Sequence, residues 1–131
     1  MHPIRRLFAV LLLAVPVFGF PQDDVVEDSF AVAADGDQTS SEIAALAGVA
    51  PFFHIYDING NPVQVMPNPH LDLEWGTGPA VATTLADMGV TVLVARKVPG
   101  PKMEDVLLAR NVRIVRRIGT VEDVAKELKE E

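Results

Sequence analysis

A chain of 131 residues with a formal net charge of −7 and no cysteine has room for one domain and excludes several kinds of function. Without cysteine there are no disulfides, no thiolate catalysis and no cysteine ligation of a metal cluster. A chain this acidic is also a poor general binder of nucleic acid or of anionic membrane surfaces, so we expect no nucleic-acid partner.

The N-terminus has the pattern of a secretory signal peptide. Arg5 and Arg6 precede an unbroken apolar run, residues 7–18, and short side chains follow at the end of that run. The run is shorter than the about 20 residues of a membrane span, which favours cleavage over an uncleaved anchor. Pro16 argues against a third alternative, a buried N-terminal helix, because proline breaks a helix interior.

Cleavage divides the chain into a signal peptide of residues 1–19, an acidic linker of residues 20–28 and a folded domain of residues 29–131. We expect the mature protein to be periplasmic or secreted, without stable membrane association. Its charge falls from −7 to −9 when Arg5 and Arg6 are removed. Residues 20–95 then contain eleven acidic residues and no lysine or arginine, whereas residues 96–131 contain nine basic residues.

The hydrophobic pattern predicts elements in the order β-β-β-α-β-α-β-α. Five β-branched or apolar runs predict strands, at residues 29–34, 52–58, 62–66, 90–95 and 112–115. Asn59-Gly60 predicts a hairpin turn between the second and third strands. Apolar residues at helical spacing predict three helices. The first begins at Thr77 or Gly78 and ends at residue 88, the second spans residues 102–110, and the third follows a cap at Thr120. The segment 37–47 carries no clear pattern.

Right-handed crossovers place the later strands beside the first. The sequence therefore predicts a mixed five-stranded sheet with helices on both faces. The hairpin forms one edge, followed by the first strand, the strand at residues 90–95 and the strand at residues 112–115. The last two strands should be adjacent and parallel.

A series of short motifs then follows in order along the chain. They are APFFHIYD at 50–57, NP at 68–69, GTG at 76–78, LADMGV at 85–90, VLVAR at 92–96, PGP at 99–101, NVRIV at 111–115 and GTVE at 119–122. Together they resemble the dinitrogenase iron–molybdenum cofactor-binding family, over about residues 29–128. The resemblance implies a ribonuclease H-like fold.

The same resemblance implies a function. It indicates non-covalent binding of an anionic metal–sulfur cluster or its precursor, as a carrier or insertion factor, and a partner protein that receives the cluster. Members often carry HFGRAPYF, in which the histidine is a candidate cluster contact. Here Leu46 stands at the histidine position and Val49 at the arginine position, so the site is altered.

Ligands of open α/β sheets bind outside the carboxyl ends of the strands. Basic residues follow two strands at that edge, and a glycine-flanked helix N-terminus offers free N–H groups and a favourable dipole. These features predict an anion site formed by Gly76, Thr77, Gly78, Arg96, Lys97, Arg116 and Arg117. The alternative is that the cations are solvated loop charges.

A second candidate site lies in the polar, proline-rich loop 67–76. His70, Asp72 and Glu74 alternate there and could place an imidazole and two carboxylates around a divalent metal. Ordinary surface-loop chemistry is the alternative. His54, on an apolar strand, is better explained as a structural histidine than as a ligand.

An enzyme is not expected. Asp35, Asp57 and Asp72 could suggest the metal-binding carboxylates of a ribonuclease H-like nuclease. However, the predicted topology places Asp57 at the end of the sheet opposite Asp35. Two hypotheses therefore remain: an exported carrier of a metal or an anionic metal–sulfur species, or an interaction module that kept the fold and lost the site.

Overall fold

The computed structural model describes residues 28–98 and 100–129; the signal-peptide segment lies outside the described residues. Eight principal elements form one sheet and three α-helices. The strands are β1 Ser29–Ala34, β2 Phe52–Tyr56, β3 Pro62–Pro67, β4 Val90–Ala95 and β5 Arg113–Arg116. The helices are α1 Thr77–Asp87, α2 Gly100–Ala109 and α3 Val121–Lys129. A short 3-10 helix at Ala47–Val49 lies between β1 and β2.

The strand order across the sheet is β3-β2-β1-β4-β5. β2 is antiparallel to both of its neighbours, whereas β1, β4 and β5 are parallel. This arrangement confirms the mixed five-stranded sheet and the adjacent, parallel pairing of the last two strands. The boundaries differ by one or two residues, as is usual at element ends.

β2 ends at Tyr56, two residues before the predicted end, because Asp57 begins the turn. Its carboxylate accepts hydrogen bonds from the backbone N–H groups of Asn59 and Asn61, each at 2.9 Å. These bonds, the one from Asn61 most of all, lower the pKa of Asp57. Gly60 adopts a φ of +85°, which glycine tolerates and other residues rarely do. The Asn59-Gly60 turn is confirmed.

The two faces of the sheet are covered unequally. α1 and α2 pack on one face, where the largest buried side chains include Phe53, Leu85 and Leu93. On the other face α3 packs alone, over Val32 and Val94 among others. Helices on both faces are thus confirmed. No helix within the described ranges is long and apolar enough to cross a membrane.

The unassigned segment 37–47 crosses the carboxyl edge of the sheet. Ile43 forms a bridge with Ala34, and its N–H donates to Gly119 O at 2.9 Å. Ser41 O accepts the N–H of Val121 at 2.9 Å, so this segment satisfies part of the α3 N-terminus. The segment lacks a repeating pattern because its partners are spread over several distant elements.

The predicted cap of α3 is confirmed. The Thr120 hydroxyl accepts the N–H of Asp123 at 3.2 Å, and the Asp123 carboxylate accepts the N–H of Thr120 at 3.4 Å. This reciprocal pair is a capping box with aspartate in the third helical position. It fixes where α3 begins.

Candidate functional site

A cavity of about 320 Å³ opens at the carboxyl edge of the parallel strands. Residues from three separate segments line it: Ala45, Leu46, Arg96, Lys97 and Ile118. It lies where ligands of open α/β sheets are expected, beside the loop that leaves β4. This cavity is the candidate site.

Two backbone hydrogen bonds hold the three segments together. The N–H of Ala47 donates to Lys97 O at 2.9 Å, which ties the 3-10 helix to the loop after β4. The N–H of Arg117 donates to Ala95 O at 3.0 Å, which holds the loop after β5 against the end of β4. The site is therefore assembled by main-chain contacts between residues that are distant in sequence.

The cavity combines positive charge with apolar walls. Among residues 28–98 and 100–129 no carboxylate lines it, and neither Arg96 nor Lys97 has an acidic partner within 4 Å. Leu46 is 40% exposed and Ile118 is 78% exposed, so large apolar side chains stand beside the two cations. The arrangement suits an anion with a polarisable, weakly hydrated surface.

The four predicted cations do not converge. Arg117 turns towards α3, where its guanidinium binds the Glu127 carboxylate at 2.9 Å. It lines a different, smaller cavity on that face, together with Arg113. Arg116 is exposed and does not line the candidate cavity. Arg116 and Arg117 therefore do not serve the candidate cavity as a pair.

Gly76, Thr77 and Gly78 are not among the lining residues either. Gly76 is the N-cap of α1 and makes no side-chain cap. A Cβ on Gly48 would lie 3.0 Å from the Cα of Gly78, and a Cβ on Gly78 would lie 3.1 Å from the Cβ of Met103. Gly78 is therefore required for close packing of α1 against the 3-10 helix and α2.

The predicted metal triad is not assembled in this structure. The His70 ring Nε2 lies 2.7 Å from the Thr84 hydroxyl of α1, while Asp72 and Glu74 are exposed. Within the part of the chain that the structure describes, no three His, Asp or Glu side chains are placed to hold a metal ion. The loop's alternating pattern reflects one anchored histidine and two solvated carboxylates.

Asn68 is a structural residue whose role the sequence analysis missed. It is 6% exposed, and its amide donates to Gly48 O at 3.2 Å and to Ala50 O at 2.9 Å. Its side-chain oxygen accepts the N–H of His70 at 2.9 Å. Asn68 thus holds the 3-10 helix, next to the candidate cavity, against the loop after β3. Its place in the Asn-Pro motif was the available signal.

His54 is structural, as predicted. It is 2% exposed, and its Nε2–H donates to Gly36 O at 2.9 Å, which anchors the segment that follows β1. Phe30 pairs with Tyr56, so Asp57 lies beside the start of β1 while Asp35 follows its end. The two carboxylates are at opposite ends of the sheet, as the topology predicted, and cannot share a metal.

Comparison with known proteins assigns the chain to a family. A family model described as "Dinitrogenase iron-molybdenum cofactor" matches residues 28–131. No curated protein matches the sequence. The apo form of the orange protein (ORP) from Desulfovibrio gigas is similar in fold, with a TM-score of 0.72 and 24% identity over 81% of this chain and 90% of that one.

A second solved structure is similar in both fold and sequence. The solution structure of a putative NifB protein from Thermotoga has a TM-score of 0.64 and 31% identity, and the match covers 79% of this chain and 88% of that one. Because the family model spans nearly the whole described domain, this chain belongs to the dinitrogenase iron–molybdenum cofactor-binding family.

Proposed function

We propose that this protein is a non-enzymatic carrier of an anionic metal–sulfur species, bound in the cavity at the carboxyl edge of the sheet. The observation that carries the proposal is the pairing of two cations, Arg96 and Lys97, with apolar walls in a cavity that no carboxylate of the described residues lines. Membership of the cofactor-binding family supports the same kind of cargo.

The mode of binding follows from the residues at hand. The chain has no cysteine, and none of the histidines in the described part of the chain lines the cavity, so the described lining offers no soft ligand to a metal. The cargo is therefore held as a whole anion. Charge from Arg96 and Lys97 and dispersion contacts with Leu46 and Ile118 replace coordination. Such binding suits a carrier, because release to a partner protein breaks no metal–protein bond.

The replacement of the family's histidine by leucine changes how the site can bind its cargo. Leu46 stands where the family often has histidine, and this position lines the cavity. Exchange of a potential ligand for leucine moves the site from coordination towards outer-sphere binding. A divalent metal ion would find no ligands there, so an anionic cluster is preferred over a bare cation as the cargo.

One observation favours a second candidate function, a protein-interaction module that kept the fold and lost the cluster site. Leu46, Val49 and Ile118 are 40%, 51% and 78% exposed. Leu46 and Ile118 line the cavity. Exposed apolar side chains of this size are typical of protein contacts.

Titration of the purified protein with tetrathiomolybdate tests the carrier proposal. We expect saturable binding that weakens as salt rises from about 0.1 M to about 1 M, since the screening length shortens from about 10 Å to about 3 Å. Zinc and copper ions serve as the comparison. We expect each ion to bind the wild-type protein no more tightly than it binds a His70→Ala variant. Protein that comes from cells with neither molybdenum nor inorganic sulfide, and that binds no thiomolybdate, would favour the interaction module.

Export forms part of the proposal, supported by the basic and apolar pattern of residues 1–19. N-terminal sequencing of cell-derived protein should begin near Phe20, and a product that begins at Met1 or His2 in the cytoplasm would contradict it.

We also propose that the fold is ribonuclease H-like. The strand order β3-β2-β1-β4-β5, with β2 antiparallel to its neighbours, supports it.

A further inference from the structure

The loop that joins β3 to α1, residues 68–76, carries three large apolar side chains that are open to solvent. Leu71 and Leu73 are exposed, and Trp75, the one tryptophan of the chain, is 78% exposed. Single exposed apolar residues are common on protein surfaces, but three within five residues are a concentrated apolar surface. Such a surface is typical of a contact with another molecule.

Polar groups and a glycine hold this loop in place without help from its apolar side chains. At the start of the loop the Asn68 amide donates to Gly48 O at 3.2 Å, and just after its end Gly78 packs closely against the same glycine. Between these points the His70 ring Nε2 lies 2.7 Å from the Thr84 hydroxyl. The loop is therefore anchored before any partner binds, which lowers the entropy that ordering it would cost on association.

The charges of the loop indicate the kind of partner that fits it. Asp72 and Glu74 alternate with the apolar residues and are exposed, and among the described residues neither carboxylate has a basic partner within 4 Å. The neighbouring sequence does not compensate them, because residues 20–95 contain no lysine or arginine. A surface that is both apolar and negative is repelled by anionic lipid and is complementary to an apolar surface bordered by cations.

We propose that this loop docks a partner protein whose surface has an apolar pocket bordered by lysine or arginine side chains. Trp75 enters the pocket, while Asp72 and Glu74 face its basic border. Tryptophan suits the central position, because it buries a large area with few rotatable bonds and is enriched among the residues that dominate binding energy. No residue of the loop lines the cavity beside Arg96, so docking does not depend on the cargo site.

The probe is a helical peptide of leucine and lysine with its leucines on one face. We expect its binding to shift the fluorescence of Trp75 to shorter wavelength and to protect the indole from acrylamide, because the ring leaves water. A leucine–glutamate peptide of the same pattern and a serine–lysine peptide should each bind at least about fivefold more weakly, since each lacks one of the two complementary features. Equal binding of either peptide would overturn the proposal.

Trp75→Ala removes the indole and keeps every charge. In an anisotropy titration with the fluorescein-labelled leucine–lysine peptide, affinity should fall by at least about tenfold, with no loss in Tm because Trp75 is exposed. Trp75→Phe should recover part of that loss. Ile58→Ala removes another exposed apolar side chain, in the hairpin turn at the opposite end of β3, and should bind the peptide like the wild type. Wild-type affinity in Trp75→Ala would show that net charge alone attracts the peptide, and would refute the proposal.

The basic border of the pocket is tested by the loop carboxylates. The double replacement Asp72→Asn and Glu74→Gln should weaken the leucine–lysine peptide by about threefold or more, a modest effect because exposed ion pairs contribute little individually. Unchanged affinity would contradict a basic partner. Thiomolybdate binding should be the same in this variant and in Trp75→Ala as in the wild type, so failure of the docking site is distinguishable from failure of the cargo site.

Two other occupants of the loop give different results. Phosphatidylcholine vesicles that shift the Trp75 fluorescence as far as the leucine–lysine peptide does would indicate insertion into a membrane. A dimer in sedimentation equilibrium that Trp75→Ala abolishes would indicate a second copy of this chain. We expect neither result, and either one would overturn the proposal.

Discussion

Replacement of Arg96 by Gln is expected to weaken tetrathiomolybdate binding by roughly tenfold, or about 1.4 kcal/mol, and to leave the fold intact. A charge-assisted hydrogen bond contributes about 1.5–3 kcal/mol when it is partly closed to water and less when it is exposed. Arg96 is exposed at the cavity mouth, which places the expected loss at the lower end of that range. The salt dependence should flatten in the same variant.

Arg116→Gln is the matched control for this experiment. It removes the same charge from the neighbouring strand end, but Arg116 does not line the cavity. We therefore expect its thiomolybdate affinity to stay within about twofold of the wild type, because an exposed charge that does not contact the anion interacts with it only weakly through water. Equal losses in the two variants would mean that net charge alone attracts the anion. No loss in either would remove the support for the cavity as the cargo site.

Replacement of Asn68 by Ala is expected to destabilise the protein by about 2–4 kcal/mol. The substitution leaves two buried carbonyl oxygens, of Gly48 and Ala50, without their donor and the N–H of His70 without its acceptor. Each buried group left unpaired costs about 1–3 kcal/mol. For a domain of about 100 residues, thermal unfolding monitored by circular dichroism should show Tm falling by more than about 10 °C.

Two further variants separate the contacts of Asn68. Asn68→Asp keeps the acceptor for His70 but loses the donated bonds, so it should also be destabilised at neutral pH. Asn61→Ala, in the exposed hairpin turn, removes an asparagine amide whose contact with the Asp57 carboxylate is 3.5 Å long, and should change stability by less than about 0.5 kcal/mol. A wild-type Tm in Asn68→Ala would show that the 3-10 helix stays in place without this residue.

The sequence by itself determined the secondary structure and the order of the strands. The continuous run at Val90–Ala95 is typical of a strand buried on both faces, and Asn59-Gly60 is a strong hairpin signal; both are local features. Right-handed crossovers then leave few arrangements of five strands, and the observed order is the one predicted. The weakest point was segment 37–47, whose conformation depends on bonds to distant elements.

Of the residues predicted to form the anion site, the structure brings only part together in one cavity. Basic residues after the parallel strands indicated the carboxyl edge, and Arg96 and Lys97 do line a cavity there. Arg117 belongs to the opposite face, because it pairs with Glu127 on a helix ten residues further along. Local sequence shows that a residue is charged, but only the packing of α3 decides whether that charge is neutralised.

The sequence did not predict which apolar residues line the cavity, for a similar reason. Leu46 and Ile118 are 72 residues apart in the chain, yet both line the cavity. They meet because the loops that carry them are bonded to the end of β4, through Ala47 to Lys97 and through Arg117 to Ala95. Periodicity determines elements because it acts within a few residues, whereas a binding site depends on long-range main-chain contacts that only the tertiary structure establishes.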